Sequence, residues 1–216
     1  MRAVRGFDRL AALLAAALLL GGPAGCAAWK RFQYEGFGRD AWQKPDEVVA
    51  LLGIGAGDRV ADVGAGGGYF TFRFADAVGD LGRVYAVDVD DDLLAYLEDR
   101  VQEEGRANLS VVRGAYDDPR LPDGEIDLVF LSNTYHHIQD RTAYFRRLLL
   151  DLAPNGRVAV VELDDRSWMP RTLGHFTPAE AIEREMAEAG YRLDARHEIL
   201  ERQSFQIFAP DDGTGE

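Results

Sequence analysis

Short apolar runs alternate with segments of helical periodicity along most of this chain. Strands are predicted at residues 59–63, 83–88, 109–114, 126–131 and 157–163, with two closing strands at 191–200 and 203–209. Between them, apolar residues recur at intervals of three and four, which predicts helices over 46–52, 91–105, 140–152 and 177–190. Strands that alternate with helices predict an α/β fold with a mostly parallel sheet and helices on both faces.

The most distinctive segment follows the first predicted strand, where an acid precedes a run of glycines. Asp62 lies two positions before Gly64, and Gly66 and Gly68 follow at alternate positions. Glycines between a strand and a helix let the backbone lie close against a ligand. A nicotinamide-type fingerprint needs glycine at the sixth position, where this chain has Tyr69, and the Gly-Lys-Ser/Thr of a phosphate loop is absent.

An acid followed by Gly-x-Gly-x-Gly resembles the first motif of the class I S-adenosylmethionine-dependent methyltransferases. The resemblance implies a Rossmann-like, doubly wound, mostly parallel seven-stranded sheet with one antiparallel strand. It also implies S-adenosylmethionine as the cofactor. The cofactor-binding candidates in this first motif are Asp62, Gly64, Ala65, Gly66 and Gly68.

Three later positions extend the predicted cofactor site. Asp88 ends the second strand about 20 residues past the glycine loop, where a carboxylate takes the ribose hydroxyls of a nucleoside. The resemblance implies an adenine contact from the loop after the third strand, and Asp117 is the candidate. Two residues separate Asp117 from the glycine that the family's acid usually follows directly. Asn133 follows the fourth strand, at the sheet edge where open α/β sheets bind ligands.

Candidates for a catalytic base lie at the same edge of the sheet. Tyr135, His136 and His137 follow the fourth strand, and His175 follows the fifth. The cofactor's sulfonium makes its methyl group electrophilic, so the protein mainly aligns an in-line displacement, with a base where the acceptor is protonated. No metal site is predicted: the chain has one cysteine and four histidines, and residues 88–99 lack the glycine and glutamate of a calcium loop.

Length and charge limit the classes of function. The 216 residues suffice for one α/β domain and a short leader. A net charge of −13 would repel a nucleic-acid backbone, and the chain has no basic stripe with interleaved aromatic residues. A small-molecule acceptor is therefore expected, with an uncharged or cationic protein site left open. No nucleic-acid partner is expected, and the oligomeric state stays open.

The amino-terminal segment has the features of an export signal. Arg2, Arg5 and Arg9 precede a run made only of leucine and alanine at 10–20, and small residues then lead to Cys26. The apolar run is too short to span a bilayer comfortably. The segment resembles a bacterial lipoprotein signal, which implies membrane attachment through a lipid on Cys26 and a location in the cell envelope, on its periplasmic side.

The predicted organisation is a signal peptide at 1–25, a linker or lid at 26–44, a methyltransferase domain at 45–210 and an acidic tail at 211–216. The predicted function is S-adenosylmethionine-dependent methyl transfer to a small molecule. A cytoplasmic location stays open, because the cofactor is made in the cytoplasm. Two other functions stay open: a non-catalytic methyltransferase-like binding module, and an NAD-dependent oxidoreductase, which Tyr69 disfavours.

Overall fold

The computed structural model describes residues 38–164 and 176–213. The predicted signal peptide, Cys26 and His175 lie outside the described residues. None of the helices within the two described ranges combines the length and apolar character needed to cross a bilayer.

Seven strands form a single sheet with the order β3-β2-β1-β4-β5-β7-β6. The strands are β1 Arg59–Val63, β2 Arg83–Asp88, β3 Leu109–Arg113, β4 Ile126–Ser132, β5 Leu152–Leu163, β6 Tyr191–His197 and β7 Gln203–Pro210. Neighbours from β3 to β5 pair in parallel, and β7 lies antiparallel to both β5 and β6. The predicted mostly parallel seven-stranded sheet with one antiparallel strand is confirmed.

Helices cover both faces of the sheet. They are α1 Arg39–Gln43, α2 Pro45–Leu52, α3 Thr71–Val78, α4 Asp91–Glu103, α5 Arg141–Leu148, α6 Ala179–Glu188 and a 3-10 turn, η1, at Tyr135–His137. Buried residues of α2, α3 and α4 pack on one face, and those of η1, α5 and α6 pack on the other. Because β1 and β4 are covered on both sides, they are nearly continuous apolar runs.

Side-chain caps start two of the helices that follow strands. Asp90 accepts hydrogen bonds from the backbone N–H of Asp92, at 2.9 Å, and of Leu93, at 3.2 Å, at the start of α4. Asp140 accepts one from the Ala143 N–H, at 3.1 Å, at the start of α5. These bonds satisfy donors that the first turn of a helix leaves unpaired, and they fix where the chain turns back from the sheet edge that carries the site.

Two sequence predictions about helix ends are wrong. The helix predicted over 140–152 ends at Leu148, because Leu152 already pairs with Ile126 as the first residue of β5. Thr177 does not cap α6: Pro178 takes the cap position without a side-chain hydrogen bond, and no described residue bonds the Thr177 hydroxyl.

Candidate functional site

The glycine loop joins β1 to α3 in a backbone shape that needs glycine. Gly64, Gly66 and Gly68 have positive φ angles of 76°, 56° and 84°. The N–H groups of Gly64 and Ala65 both donate to the carbonyl oxygen of Val87, at 2.8 and 3.0 Å. The loop is therefore fixed against the end of β2, and these left-handed positions would strain other residues.

Neighbouring side chains also leave no room for a Cβ at two of these glycines. A Cβ at Gly64 would lie 2.2 Å from Oγ1 of Thr134, and one at Gly68 would lie 2.7 Å from the ring of Phe72. The β1 loop and the segment after β4 are thus in close contact at the carboxyl edge of the sheet.

Asp88 lies directly against the glycine loop. Its Oδ2 accepts a hydrogen bond from the N–H of Gly66 at 2.9 Å, and its Oδ1 accepts from the N–H groups of Val89 and Asp90, at 2.7 and 3.0 Å. These three bonds hold the carboxylate in one orientation at the end of β2. The structure brings together the two features that the sequence singled out, the loop and the carboxylate about 20 residues after it.

A small cavity of about 90 Å³ adjoins this carboxylate. Its lining residues are Val63, Gly64, Val87, Asp88, Val89, Gly114, Ala115, Tyr116, Thr134, His137, Ile138 and Tyr144. Apolar side chains from the ends of β1 and β2 and from the segments after β3 and β4 form most of the wall. The volume is below the ~300–1,000 Å³ of typical ligand pockets.

Asp62 is buried beneath the loop and joins β1 to α3. Its Oδ2 accepts a hydrogen bond from the Thr71 hydroxyl at 2.6 Å. Burial raises the pKa of Asp62 to about 6, although the bond from Thr71 and the charge of Arg39 act in the opposite direction. Asp62 therefore organises the loop from below, and it does not line the cavity.

Helix α1 adds a positive charge to this edge of the sheet. The Arg39 guanidinium lies 3.8 Å from the centre of the Tyr69 ring, and its Nε donates to Oε1 of Gln43. Gln43 is fully buried and donates in turn to the Ser132 hydroxyl at 2.8 Å. Burial lowers the pKa of Arg39, and the charges of Tyr69 and Asp62 oppose this shift. Residues 39–43, which the sequence placed in a linker or lid, are thus a helix that contacts the glycine-loop residue Tyr69 and the end of β4.

The three candidate bases of η1 have different surroundings. The rings of His136 and His137 are in contact, with their centres 4.0 Å apart. His137 lines the cavity, whereas Nδ1 of His136 lies 2.7 Å from Oε1 of Glu162 on β5.

The third side chain of η1, Tyr135, is part of the core. Tyr135 is fully buried, stacks on Phe145 and donates its hydroxyl hydrogen to Glu185 at 2.9 Å. Burial, followed by the charge of Glu185, raises its pKa. Tyr135 faces α5 and α6, so the structure does not support its assignment as a catalytic base.

Two predicted cofactor contacts, Asp117 and Asn133, do not line the cavity. Asp117 is exposed. Ala115 and Tyr116 line the cavity instead. The Ala115 N–H donates to the Asp118 carbonyl oxygen at 2.7 Å, and this bond closes the turn after β3. The Asn133 side chain accepts a hydrogen bond from Gln203 at 2.9 Å, so it ties β4 to β7.

Several lining residues were not among the sequence candidates. They are Val89, Ala115, Tyr116, Thr134, Ile138 and Tyr144. Val89, Ala115, Tyr116 and Thr134 could have been proposed as lining residues, because each lies within a few residues of a strand end. Ile138 and Tyr144 carry no polar signal, since apolar residues at helical spacing predict burial in any fold. Within residues 38–164 and 176–213, no group of three or more His, Cys, Asp or Glu side chains could hold a metal ion.

Comparison with known structures places this geometry in a known fold. A crystal structure of an S-adenosylmethionine-dependent methyltransferase from Aquifex aeolicus matches with a TM-score of 0.76 at 23% identity, over 85% of this chain and 97% of that one. A Haemonchus contortus N-methyltransferase crystallised with S-adenosylhomocysteine matches with a TM-score of 0.62 at 16% identity, over 79% of this chain and 52% of that one. The fold is that of a class I methyltransferase.

Sequence comparison agrees with this class I methyltransferase fold. Residues 60–156 match the family described as the methyltransferase domain. A ubiquinone/menaquinone biosynthesis C-methyltransferase from Ectopseudomonas mendocina is 30% identical over 135 residues, which are 62% of this chain and 47% of that protein. The Azotobacter vinelandii protein of the same name is 29% identical over 140 residues, 64% of this chain and 49% of the relative. The chain spans about half the length of these curated relatives.

Proposed function

We propose that this protein transfers a methyl group from S-adenosylmethionine to a small-molecule acceptor. The observation that carries the proposal is the 2.9 Å hydrogen bond between the Gly66 N–H and the Asp88 carboxylate. The glycine loop and the Asp88 carboxylate lie side by side, next to an apolar cavity at the carboxyl edge of a parallel sheet, where folds of this type bind ligands. The match of residues 60–156 to the methyltransferase domain supports the same function.

We assign a group at this edge of the sheet to each part of the cofactor. The Asp88 carboxylate would accept hydrogen bonds from the ribose hydroxyls, which charge assistance strengthens. The adenine base would enter the cavity between Val89 and Ile138. The amino-acid part would follow the loop from Gly64, where the Arg39 guanidinium could pair with its carboxylate.

For methyl transfer from a sulfonium, the protein mainly has to align the reacting atoms. The sulfonium sulfur already activates the methyl carbon, so the acceptor atom, carbon and sulfur need only be held in line. Such positioning can lower a barrier by ~7–11 kcal/mol. The curated relatives are named C-methyltransferases of ubiquinone and menaquinone biosynthesis. We therefore extend the proposal to a small acceptor with a nucleophilic carbon, such as an electron-rich ring.

Calorimetric titration of the full chain with S-adenosylmethionine, S-adenosylhomocysteine and NAD tests the cofactor. We expect binding of the first two and none of NAD. Asp88→Ala should weaken binding by about 10- to 100-fold, because a hydrogen bond to a charged group contributes roughly 1.5–3 kcal/mol. Binding of NAD alone would contradict the proposal.

A screen of small phenols, enols and other compounds with a nucleophilic carbon, together with methyl-labelled S-adenosylmethionine, tests the reaction itself. We expect label in at least one acceptor, and its loss in Asp88→Ala at cofactor concentrations below saturation. Tight cofactor binding without any transfer across the screen would favour the non-catalytic binding module instead.

A further inference from the structure

A second cavity, of about 220 Å³, lies at the carboxyl edge of the sheet, apart from the cavity beside Asp88. Its walls come from the end of β5, the start of α6, the end of β6 and the start of β7. The lining residues that carry polar side chains are Asp164, Glu180, Arg196, Glu198 and Ser204. As the described residues form them, the two cavities share no lining residue.

The Ser204 side chain faces this second cavity. In the β6–β7 ladder Arg196 lies opposite Gln206, so the side chains of Arg196, Gln206 and Ser204 share one face of the sheet. The Gln206 amide donates to the Ala179 carbonyl oxygen at 3.3 Å, which puts the start of α6 over the same face. The second cavity therefore lies between this face and α6.

Ser204 brings a buried hydroxyl group to the second cavity. Ser204 is 4% exposed, and its Oγ has no hydrogen-bond partner among the described residues. Glu162 lies opposite Ser204 in the β5–β7 ladder, and Oε2 of Glu162 is also buried without a partner in this part of the chain. Buried polar atoms normally have partners. A hydroxyl beside a carboxylate is suited to a ligand group that donates hydrogen bonds.

The charge around the second cavity favours a cation. Asp164, Glu180 and Glu198 place carboxylates in its wall. The guanidinium of Arg196 opposes them, but it forms an ion pair with Glu183. The start of α6 adds roughly half a positive charge, which is less than these carboxylates supply. A protonated amine carries a positive charge and only donates hydrogen bonds, so it matches both the charge and the Ser204 hydroxyl.

The second cavity lies on the side from which an acceptor can approach the cofactor. In the proposed function the ribose lies at the end of β2, and the amino-acid part follows the loop after β1. The strand order then leaves the ends of β4, β5 and β7 on the open side of the sulfonium. The strands β4 and β7 are two strand spacings apart, about 10 Å, so an aromatic acceptor with a short side chain reaches both.

We propose that the second cavity binds an ammonium group of the methyl acceptor. This inference rests on the proposed function. Ser204 Oγ accepts a hydrogen bond from the ammonium group, and the carboxylates of the wall offset its charge. The reacting carbon of the acceptor lies towards β4. The acceptor class is therefore a small electron-rich ring with an amine side chain.

Three phenols of similar size test the charge of the ligand. Tyramine carries an ammonium group, 4-ethylphenol has an uncharged side chain, and 4-hydroxyphenylacetate carries a carboxylate. In calorimetric titrations of the full chain saturated with S-adenosylhomocysteine, we expect tyramine to bind about 10- to 100-fold more tightly than 4-ethylphenol, the usual effect of a hydrogen bond to a charged group. Equal affinities for these two, or tightest binding of 4-hydroxyphenylacetate, would overturn the inference.

Two variants locate the binding site of the ammonium group. Ser204→Ala should reduce the preference for tyramine over 4-ethylphenol by about 10-fold. Glu180→Gln should reduce it by about 2- to 5-fold, because Glu180 is exposed and its charge is screened by water. Glu188→Gln is the matched control, since it removes the same charge from the other end of α6, and the preference should not change. A preference for tyramine that survives Ser204→Ala and Glu180→Gln would overturn the inference.

The stability of Ser204→Ala shows whether this variant folds normally. Its free energy of unfolding should not fall, because the Ser204 hydroxyl bonds no described residue. The affinity for S-adenosylhomocysteine should equal that of the wild type in both variants. A wild type that does not bind S-adenosylhomocysteine would contradict the proposed function instead, and the preference for tyramine can be measured without it.

A small free amine and the kinetics separate an acceptor from another amine ligand. Ethylamine carries the ammonium group without the ring, so it should bind at least about 10-fold more weakly than tyramine. In methyl transfer to a phenol with an amine side chain, Ser204→Ala should raise KM about 10-fold and leave kcat unchanged. Ethylamine that binds as tightly as tyramine, or an unchanged KM, would overturn the assignment to the acceptor.

Discussion

Replacement of Gly64 by alanine should destabilise the fold through two separable effects. With φ at +76°, an alanine here takes a left-handed conformation that costs roughly 1–2 kcal/mol. Its Cβ would also lie 2.2 Å from Oγ1 and 2.5 Å from Cγ2 of Thr134. Overpacking of this kind costs about 1–3 kcal/mol. We therefore expect Gly64→Ala to lower the free energy of unfolding by about 2–5 kcal/mol in urea titrations.

A double-mutant cycle with Thr134→Ala separates the two effects. This change removes Oγ1 and Cγ2, so the steric part should largely vanish and the backbone part should remain. The cycle should thus show a favourable coupling of about 1–3 kcal/mol. Gly53→Ala is the matched control, because Gly53 has a φ of +63° and nothing within 4 Å of its Cβ position. If Gly64→Ala costs no more than Gly53→Ala, or if Thr134→Ala gives no relief, the reasoning is refuted.

Three further changes test other parts of the account. Burial raises the pKa of Asp62 from 3.8 to about 6. Between these two pH values the folded protein keeps the Asp62 proton, whereas the unfolded chain loses it. The stability that this group contributes is therefore lost as the pH rises from 3.8 to about 6. The stability of Asp62→Asn relative to the wild type should therefore rise by up to about 3 kcal/mol from pH 4 to pH 7 in urea titrations; a constant difference would contradict this. Tyr135→Phe should lower the free energy of unfolding by about 1 kcal/mol and leave the affinity for S-adenosylhomocysteine unchanged in calorimetry. A large loss of affinity would show that Tyr135 belongs to the cofactor site. Cys26→Ser should abolish incorporation of labelled palmitate in a bacterial host, and persistent label would exclude the predicted lipid attachment.

Local sequence signals were sufficient for the centre of the fold. Arg59–Val63 and Arg83–Asp88 have the bounds that the sequence predicted, because buried parallel strands are short apolar runs that end at polar residues or glycine. The glycine loop and Asp88 could be paired from spacing alone, since one strand–helix–strand unit fixes the distance along the chain.

Features that depend on tertiary contacts could not be predicted in this way. Helix α1 has five residues between left-handed Gly38 and Lys44, too few for a periodic pattern. The surroundings of each side chain on η1 depend on the 3-10 turn that the chain forms there. A turn of three residues is too short to be predicted from a periodic pattern. Asn133 was expected at the ligand, but its amide has a partner 70 positions away in Gln203, and no local pattern reveals that contact.

A crystal structure of the full chain with S-adenosylhomocysteine would show whether the glycine loop and Asp88 bind the cofactor. We expect both ribose hydroxyls within hydrogen-bond distance of the Asp88 carboxylate, the adenine between Val89 and Ile138, and the homocysteine part along Gly64 to Gly66. A nucleoside bound away from Asp88, or a glycine loop left empty at saturating ligand, would contradict this assignment.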